Sequence, residues 1–195
     1  MANKNENKDT ASMDQIQESL FKNRIVIISS AIDSKVASTT IANLLALDYE
    51  DNSSPITIYQ NSPGGEVTSG FAIYDTIRFL KSVVNVVNTG LCASIATIIN
   101  IAVSKEHRFS MPNCKYLIHQ PLISGQVQGV ASDLEITAKD IVKTRAKINS
   151  LLSEACGQDL KKVEQDTTRD YWMTANEALD YGLIGKIIDK MSDLK

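Results

Sequence analysis

Short apolar runs alternate with stretches of helical periodicity along most of this chain, and that alternation limits the possible folds more than any other feature. Strand-like runs lie at Arg24 to Ser29, Ile56 to Tyr59, Val83 to Val87, Arg108 to Ser110, Tyr116 to His119 and about Lys186 to Ile188. The first reads as a buried strand. Between them, Asp33 or Ser34 is placed to cap a helix carrying Val36, Ile41, Leu44, Leu45 and Leu47. Ser62-Pro63-Gly64-Gly65 forms a turn ahead of a helix from about Val67 to Lys81, and another helix opens near Ser94 and runs to about Val103. The longest helix spans Ala131 to about Ala155, with Leu134, Ala138, Ile141, Ile148 and Leu152 on one face. At 1.5 Å per residue it is roughly 37 Å long, more than one face of a small core needs, so it is expected to project and pack on another subunit. Thr174 and Glu177 have capping-box spacing for a short helix stopping near Gly182. Strands interleaved with helices predict an α/β domain.

With 195 residues and no internal repeat or linker, one domain is expected over 20–195, preceded by a polar segment over 1–19. Met13, Ile16 and Leu20 put a faint helical stripe at that boundary. A net charge of −3 with scattered acids argues against nucleic acid as a partner. The longest apolar stretch, Ile95 to Val103, is broken by Thr97 and Asn100 and is too short to span a membrane. Cys92, Cys114 and Cys156 form no CxxC pair and read as small buried hydrophobes. No signal-peptide pattern opens the sequence, so a cytoplasmic location is expected.

Two islands carry candidate chemistry. Ser94 stands in Gly90-Leu91-Cys92-Ala93-Ser94-Ile95-Ala96 at the mouth of a helix, and His119 ends the run Leu117-Ile118-His119. By itself Ser94 reads as an N-cap and His119 as a structural residue. Together they are the types needed for a nucleophile and its base, because imidazole exchanges protons near neutral pH. A helix mouth also offers free N–H groups and a positive dipole end to a developing oxyanion. Ile95 supplies one such N–H; Gly65, opening the helix after the Pro-Gly-Gly turn, supplies a second. The pattern is not the Gly-x-Ser-x-Gly elbow of α/β-hydrolases. His107, between Lys105-Glu106 and Arg108, reads as surface. For the acid, Asp159, Asp166 and Asp170 all follow the long helix, and sequence physics does not choose among them.

These residues resemble the Clp peptidase family, the ClpP subunits. The matching pieces are Tyr59-Gln60-Asn61-Ser62-Pro63-Gly64-Gly65, Ile73-Tyr74-Asp75-Thr76, Ala93-Ser94, Ile118-His119-Gln120-Pro121, Ser132-Asp133-Leu134-Glu135-Ile136, Asp166-Thr167-Thr168-Arg169-Asp170 and Glu177 to Ile184. They keep family order over roughly 20–190. The resemblance implies a crotonase-like stack of ββα units, with the helix of about 131–155 as a handle interlocking two seven-membered rings. It implies a serine endopeptidase with Ser94 as nucleophile, His119 as base, Asp170 as acid, and Gly65 and Ile95 as oxyanion donors. It implies no metal and no cofactor, with ATP used only by a partner AAA+ unfoldase such as ClpX, ClpA or ClpC, which feeds unfolded proteins into an enclosed chamber. It places substrate backbone along the stretch after His119, including Gly125 and Gln126.

The chain also departs from the family pattern. Ile95 replaces a usual methionine, Leu91-Cys92 replaces Gln-Ala, and Thr168 stands where many members carry an acid. The stretch from Pro121 to Gly129 is two residues longer, and Thr57 and Thr89 fall where apolar or aromatic residues often line the unfoldase docking pocket. These departures point to mixed rings with a ClpP paralogue, and to a structural subunit that is silent alone as the alternative to an active peptidase. Acyl-CoA chemistry on the same scaffold is a further alternative; it leaves Ser94, His119 and Asp170 together unexplained.

Overall fold

The computed structural model describes residues 15–122 and 129–194. Helix α1 (residues 15–22) leads into β1 (Ile25–Ile28), α2 (Ser34–Glu50), β2 (Ile56–Ser62), α3 (Val67–Phe79), β3 (Val84–Ala93) and α4 (Ile95–Asn100). Then follow β4 (Arg108–Ser110), β5 (Lys115–Ile118), α5 (Ala131–Cys156), α6 (Leu160–Asp166), β6 (Tyr171–Thr174), α7 (Ala175–Tyr181) and β7 (Lys186–Ile187). Residues 1–14 of the expected N-terminal segment lie outside this description.

The strands form one mixed sheet in the order β1-β2-β3-β4-β7, all parallel. β3 is long enough to take two partners on one side. Val86–Asn88 pair with β4, and Leu91–Ala93 pair with β5, so the sheet forks along its central strand. β6 closes the fork antiparallel to β5. The core joins Ile56 and Ile58 of β2, Val84 and Val86 of β3, Ile73 and Ile77 of α3, and every residue of α4. This is the expected α/β architecture.

Several local expectations change. β1 is an edge strand rather than a buried one, and Ile27 on its open face is 49% exposed. β3 runs on to Ala93 instead of stopping at Val87, because β5 supplies a second partner once β4 ends. α4 ends at Asn100, three residues short of Val103. α6 and β6 have no counterpart in the sequence reading: α6 is a seven-residue helix capped by Asp159, and β6 buries only Met173. His107 is half-buried, its Nδ1 lying 2.8 Å from Asn85 Oδ1. The three cysteines are free and buried, as expected.

Only the second half of α5 packs, through Ile148, Leu152 and Cys156. Leu134, Ile136 and Val142 in the first half are exposed, so the helix projects as its length requires. At α2, the Asp33 carboxylate accepts the Val36 N–H at 2.8 Å. At α7 the capping box forms: Thr174 Oγ1 accepts the Glu177 N–H, and the Glu177 carboxylate accepts the Thr174 N–H. That backbone N–H holds the Glu177 carboxyl below its usual range. A depressed folded pKa means that the bond stabilises above the unfolded carboxylate pKa and is lost as pH falls through the folded value. Thr174→Ala is expected to cost about 1 kcal/mol, a fall in Tm of about 2–4 °C at pH 7 by thermal melting. The gap to wild type should narrow in acid, because the bond from the Thr174 hydroxyl to the Glu177 carboxylate, which the variant lacks, is then lost from wild type as well.

Candidate active site

The site is built where β3 turns into α4. Ser94 bridges the two with φ 56° and ψ −128°, a backbone state that L residues rarely adopt. Such a state costs about 1–3 kcal/mol and persists only where its surroundings hold it. Here its N–H donates to Leu117 O of β5 at 2.8 Å, and its carbonyl accepts the Thr97 N–H at 2.9 Å and the Thr97 hydroxyl at 2.7 Å. The fully buried α4 fixes the far side.

The Ser94 side chain makes no cap to α4. Its Oγ lies 2.7 Å from His119 Nε2. The capping role open to a serine at this place is therefore given up for the histidine, and the first N–H groups of α4 stay without that partner. His119 follows the last residue of β5, so strand pairing between β3 and β5 sets the distance between the two side chains. Cys92, two residues before Ser94, is fully buried, and burial pushes its thiol well above the ordinary range, so it offers no competing nucleophile.

The three candidate carboxylates separate. Asp159 caps α6. Asp166 pairs with Lys162 and accepts the Tyr181 hydroxyl at 2.9 Å. Asp170 alone reaches the histidine, its Oδ1 lying 3.4 Å from His119 Nδ1. Gln120 brings this about: its N–H donates to Thr167 O at 2.6 Å and its Nε2 to Thr168 O at 2.8 Å, tying the loop after α6 to the end of β5. Nothing local in the sequence announces that tie, since the acceptors are carbonyls 47 and 48 positions away. The Asp170 side chain is 63% exposed against 16% for His119, so the acid end is looser than the serine end.

The glycine turn lies against the serine. A Cβ on Gly64 would sit 2.6 Å from Ala93 O and from Ser94 Cβ, and 3.2 Å from Ile95 N. Gly65 has φ 152° and its Cβ would strike Ile32 O. It does not open α3, which begins at Val67 with Glu66 as N-cap; the pairing of Ile32 with Gly65 displaces it from the helix. Among the described residues no hydrogen bond takes the N–H of Gly65 or of Ile95. Gly125 and Gln126 lie outside the described residues.

Two spaces flank the pair. A cavity of about 20 Å³, room for one water, is lined by Val67, Thr97, Ile98, Ile148 and Leu152 beside Ser94 and His119. A groove of about 450 Å³ runs past His119, Gln120, Leu122, Thr168, Arg169 and Asp170. Among the described residues no group of three or more His, Cys, Asp or Glu is placed to hold a metal ion, and no helix is long and apolar enough to cross a membrane.

A central strand delivering a histidine-bonded serine to the mouth of a buried helix has the layout of a serine hydrolase. A family model described as Clp protease matches residues 7–191. The chain is 44% identical over 192 residues to an ATP-dependent Clp protease proteolytic subunit 2 from Treponema denticola, covering 98% of this chain and 95% of that protein. A solved ClpP1 point mutant from Listeria monocytogenes has the same fold, with a TM-score of 0.85 and 42% identity over 92% of this chain and 99% of that one. The chain belongs to the Clp protease family.

Proposed function

We propose that the chain is a serine endopeptidase, the proteolytic subunit of an ATP-dependent Clp protease, with one proteolytic domain over 20–195. The observation that carries this reading is the 2.7 Å contact between Ser94 Oγ and His119 Nε2. With its proton on Nδ1, facing Asp170, the imidazole accepts the serine proton as Oγ attacks the scissile carbonyl. The N–H groups of Gly65 and Ile95 receive the oxyanion. His119 then protonates the leaving amine, and water enters by the same route to release the acyl group. No metal or cofactor is needed for these steps. The chain works in two stacked heptameric rings, alone or with a ClpP paralogue, in the cytoplasm. A partner AAA+ unfoldase such as ClpX, ClpA or ClpC spends the ATP and delivers unfolded protein. Gly125 and Gln126 fall on the segment proposed to pair with substrate backbone.

A specific observation favours a second reading. The exposed, 3.4 Å Asp170 contact and the cavity of only about 20 Å³ beside Ser94 suit a subunit that is silent until a paralogue orders the site. Fluorophosphonate labelling of Ser94, with and without a paralogue, separates the two. Labelling of the chain alone supports the self-sufficient peptidase, labelling only in the mixed ring supports the silent subunit, and no label in either removes the catalytic role.

The same geometry sets the weight of the acid. An exposed carboxylate is screened by water, so Asp170→Asn is expected to lower kcat by about 100-fold, less than a buried triad acid commands. Steady-state peptide hydrolysis checks this; a loss as large as that of Ser94→Ala would mean that the acid is enclosed in the working assembly.

A further inference from the structure

We propose that Gln60 is a positioning residue for Ser94, an inference that rests on the peptidase reading above. Gln60 stands in the middle of β2 and is fully buried. Its Nε2 donates to Asn88 Oδ1 at 3.0 Å and to Ala96 O at 3.1 Å, and lies 3.2 Å from Cys92 Sγ. Cys92 and Ala96 are the residues two before and two after Ser94. One side-chain amide therefore grips the strand end and the helix start that together carry the serine.

The ladder shows why a grip is needed there. β2 and β3 pair regularly from Ile56↔Val84 to Gln60↔Asn88, then the register jumps to Ser62↔Cys92. β3 thus carries extra residues opposite Asn61, and Leu91 N–H donates to the Asn61 side chain instead of to a strand carbonyl. A bulge frees the strand beyond it to bend and twist. Gln60 spans this break, holding Asn88 before it and Cys92 after it. Ser94, strained at φ 56°, hangs two residues further on.

Packing gives no reason for an amide at this position. Burying a glutamine is unfavourable unless all its polar atoms are paired. Gln60 Oε1 has no partner among the described residues. A side chain of the same size without polar atoms would fill the space without that cost, so the amide is held for what its N–H groups do. The other end of the buried network has a different job. Asn88 Nδ2 donates to Asn100 Oδ1 at 2.7 Å, and Asn100 Nδ2 donates to Leu183 O at 2.8 Å, anchoring the far end of α4 away from Ser94.

The test compares Gln60→Leu and Gln60→Met with Asn100→Leu, each in the full chain, alone and with a paralogue subunit. All three lose a buried hydrogen bond and are expected to lower Tm. Only the Gln60 variants are expected to slow the first-order step of Ser94 acylation by a fluorophosphonate, by about tenfold or more, with the reagent's reversible binding constant unchanged. A Gln60 variant that acylates as fast as Asn100→Leu overturns the proposal, as does a loss confined to reversible binding. If one Gln60 variant fails to fold, the other gives the comparison. The nitrogen-15 shift of His119 Nε2 decides the matter without turnover. In Gln60→Leu it should move toward the value seen in Ser94→Ala; a shift equal to that of wild type overturns the proposal even if wild-type Ser94 takes no label, which by itself defeats only the peptidase reading.

Discussion

Ser94→Ala is expected to lower kcat for peptide hydrolysis by about 10⁴-fold or more, with KM little changed. In the proposed mechanism the hydroxyl is the atom that attacks, and no neighbour replaces it: Cys92 is sealed in the core as a thiol, and Thr97 Oγ1 is committed to Ser94 O. Stability should respond differently to two replacements at this one position. Alanine removes the Oγ–His119 bond but keeps a side chain at φ 56°, so the strain remains. Glycine removes both. Ser94→Gly is therefore expected to be as inactive as Ser94→Ala yet more stable than it by about 1 kcal/mol, the relief of positive φ outweighing the entropy of glycine. Denaturant melts of the two variants give that difference. Equal stabilities would mean that the serine backbone is not strained, and turnover surviving in either variant would remove Ser94 as nucleophile.

The legibility of this site in the sequence follows the range of the forces that make it. Asp33 and the Thr174–Glu177 pair were readable because a cap acts over three residues. The α/β class was readable because apolar period is local. The apolar pattern stops β3 at Val87 because its last residues, Leu91 to Ala93, owe their strand state to β5, more than twenty positions on. β6 leaves no sequence signal for the same reason: Tyr171-Trp172-Met173-Thr174 buries one side chain and is extended because β5 pairs with it. Residue type and surroundings mark Ser94 and His119 in the sequence, but their meeting depends on the β3–β5 ladder. The choice of Asp170 over Asp159 and Asp166 came from resemblance, and the structure gives it a physical basis in Gln120 and the carbonyls of Thr167 and Thr168. The backbone state of Ser94 had no sequence signal at all, since positive φ in a serine is imposed by tertiary packing.

The glycine turn makes the last of these points testable. Gly64→Ala is expected to cost about 3–5 kcal/mol, the sum of a side chain forced to φ 89° and an overpacked contact. The added methyl would lie 2.6 Å from Ala93 O and from Ser94 Cβ, at the junction of β3 and α4 that presents the proposed nucleophile. Neither is the far end of a flexible side chain, so the clash is relieved only by moving backbone. That movement displaces Ser94 from His119 and Ile95 N from its place near the turn. Among molecules that remain folded, acylation of Ser94 should fall by about 100-fold. Gly157→Ala is the matched control. It also stands at positive φ, 67° at the C-terminus of α5, but a Cβ there meets nothing within 4 Å. Its expected cost is about 1 kcal/mol, the left-handed backbone penalty alone, with Ser94 reactivity intact. The difference between the two glycines, in stability by denaturant melt and in acylation rate by fluorophosphonate, measures how tightly the turn is fitted to the nucleophile. If Gly64→Ala were no worse than Gly157→Ala on either measure, the turn would be only a turn, and Ser94 would be held from the β5 and Gln60 side alone.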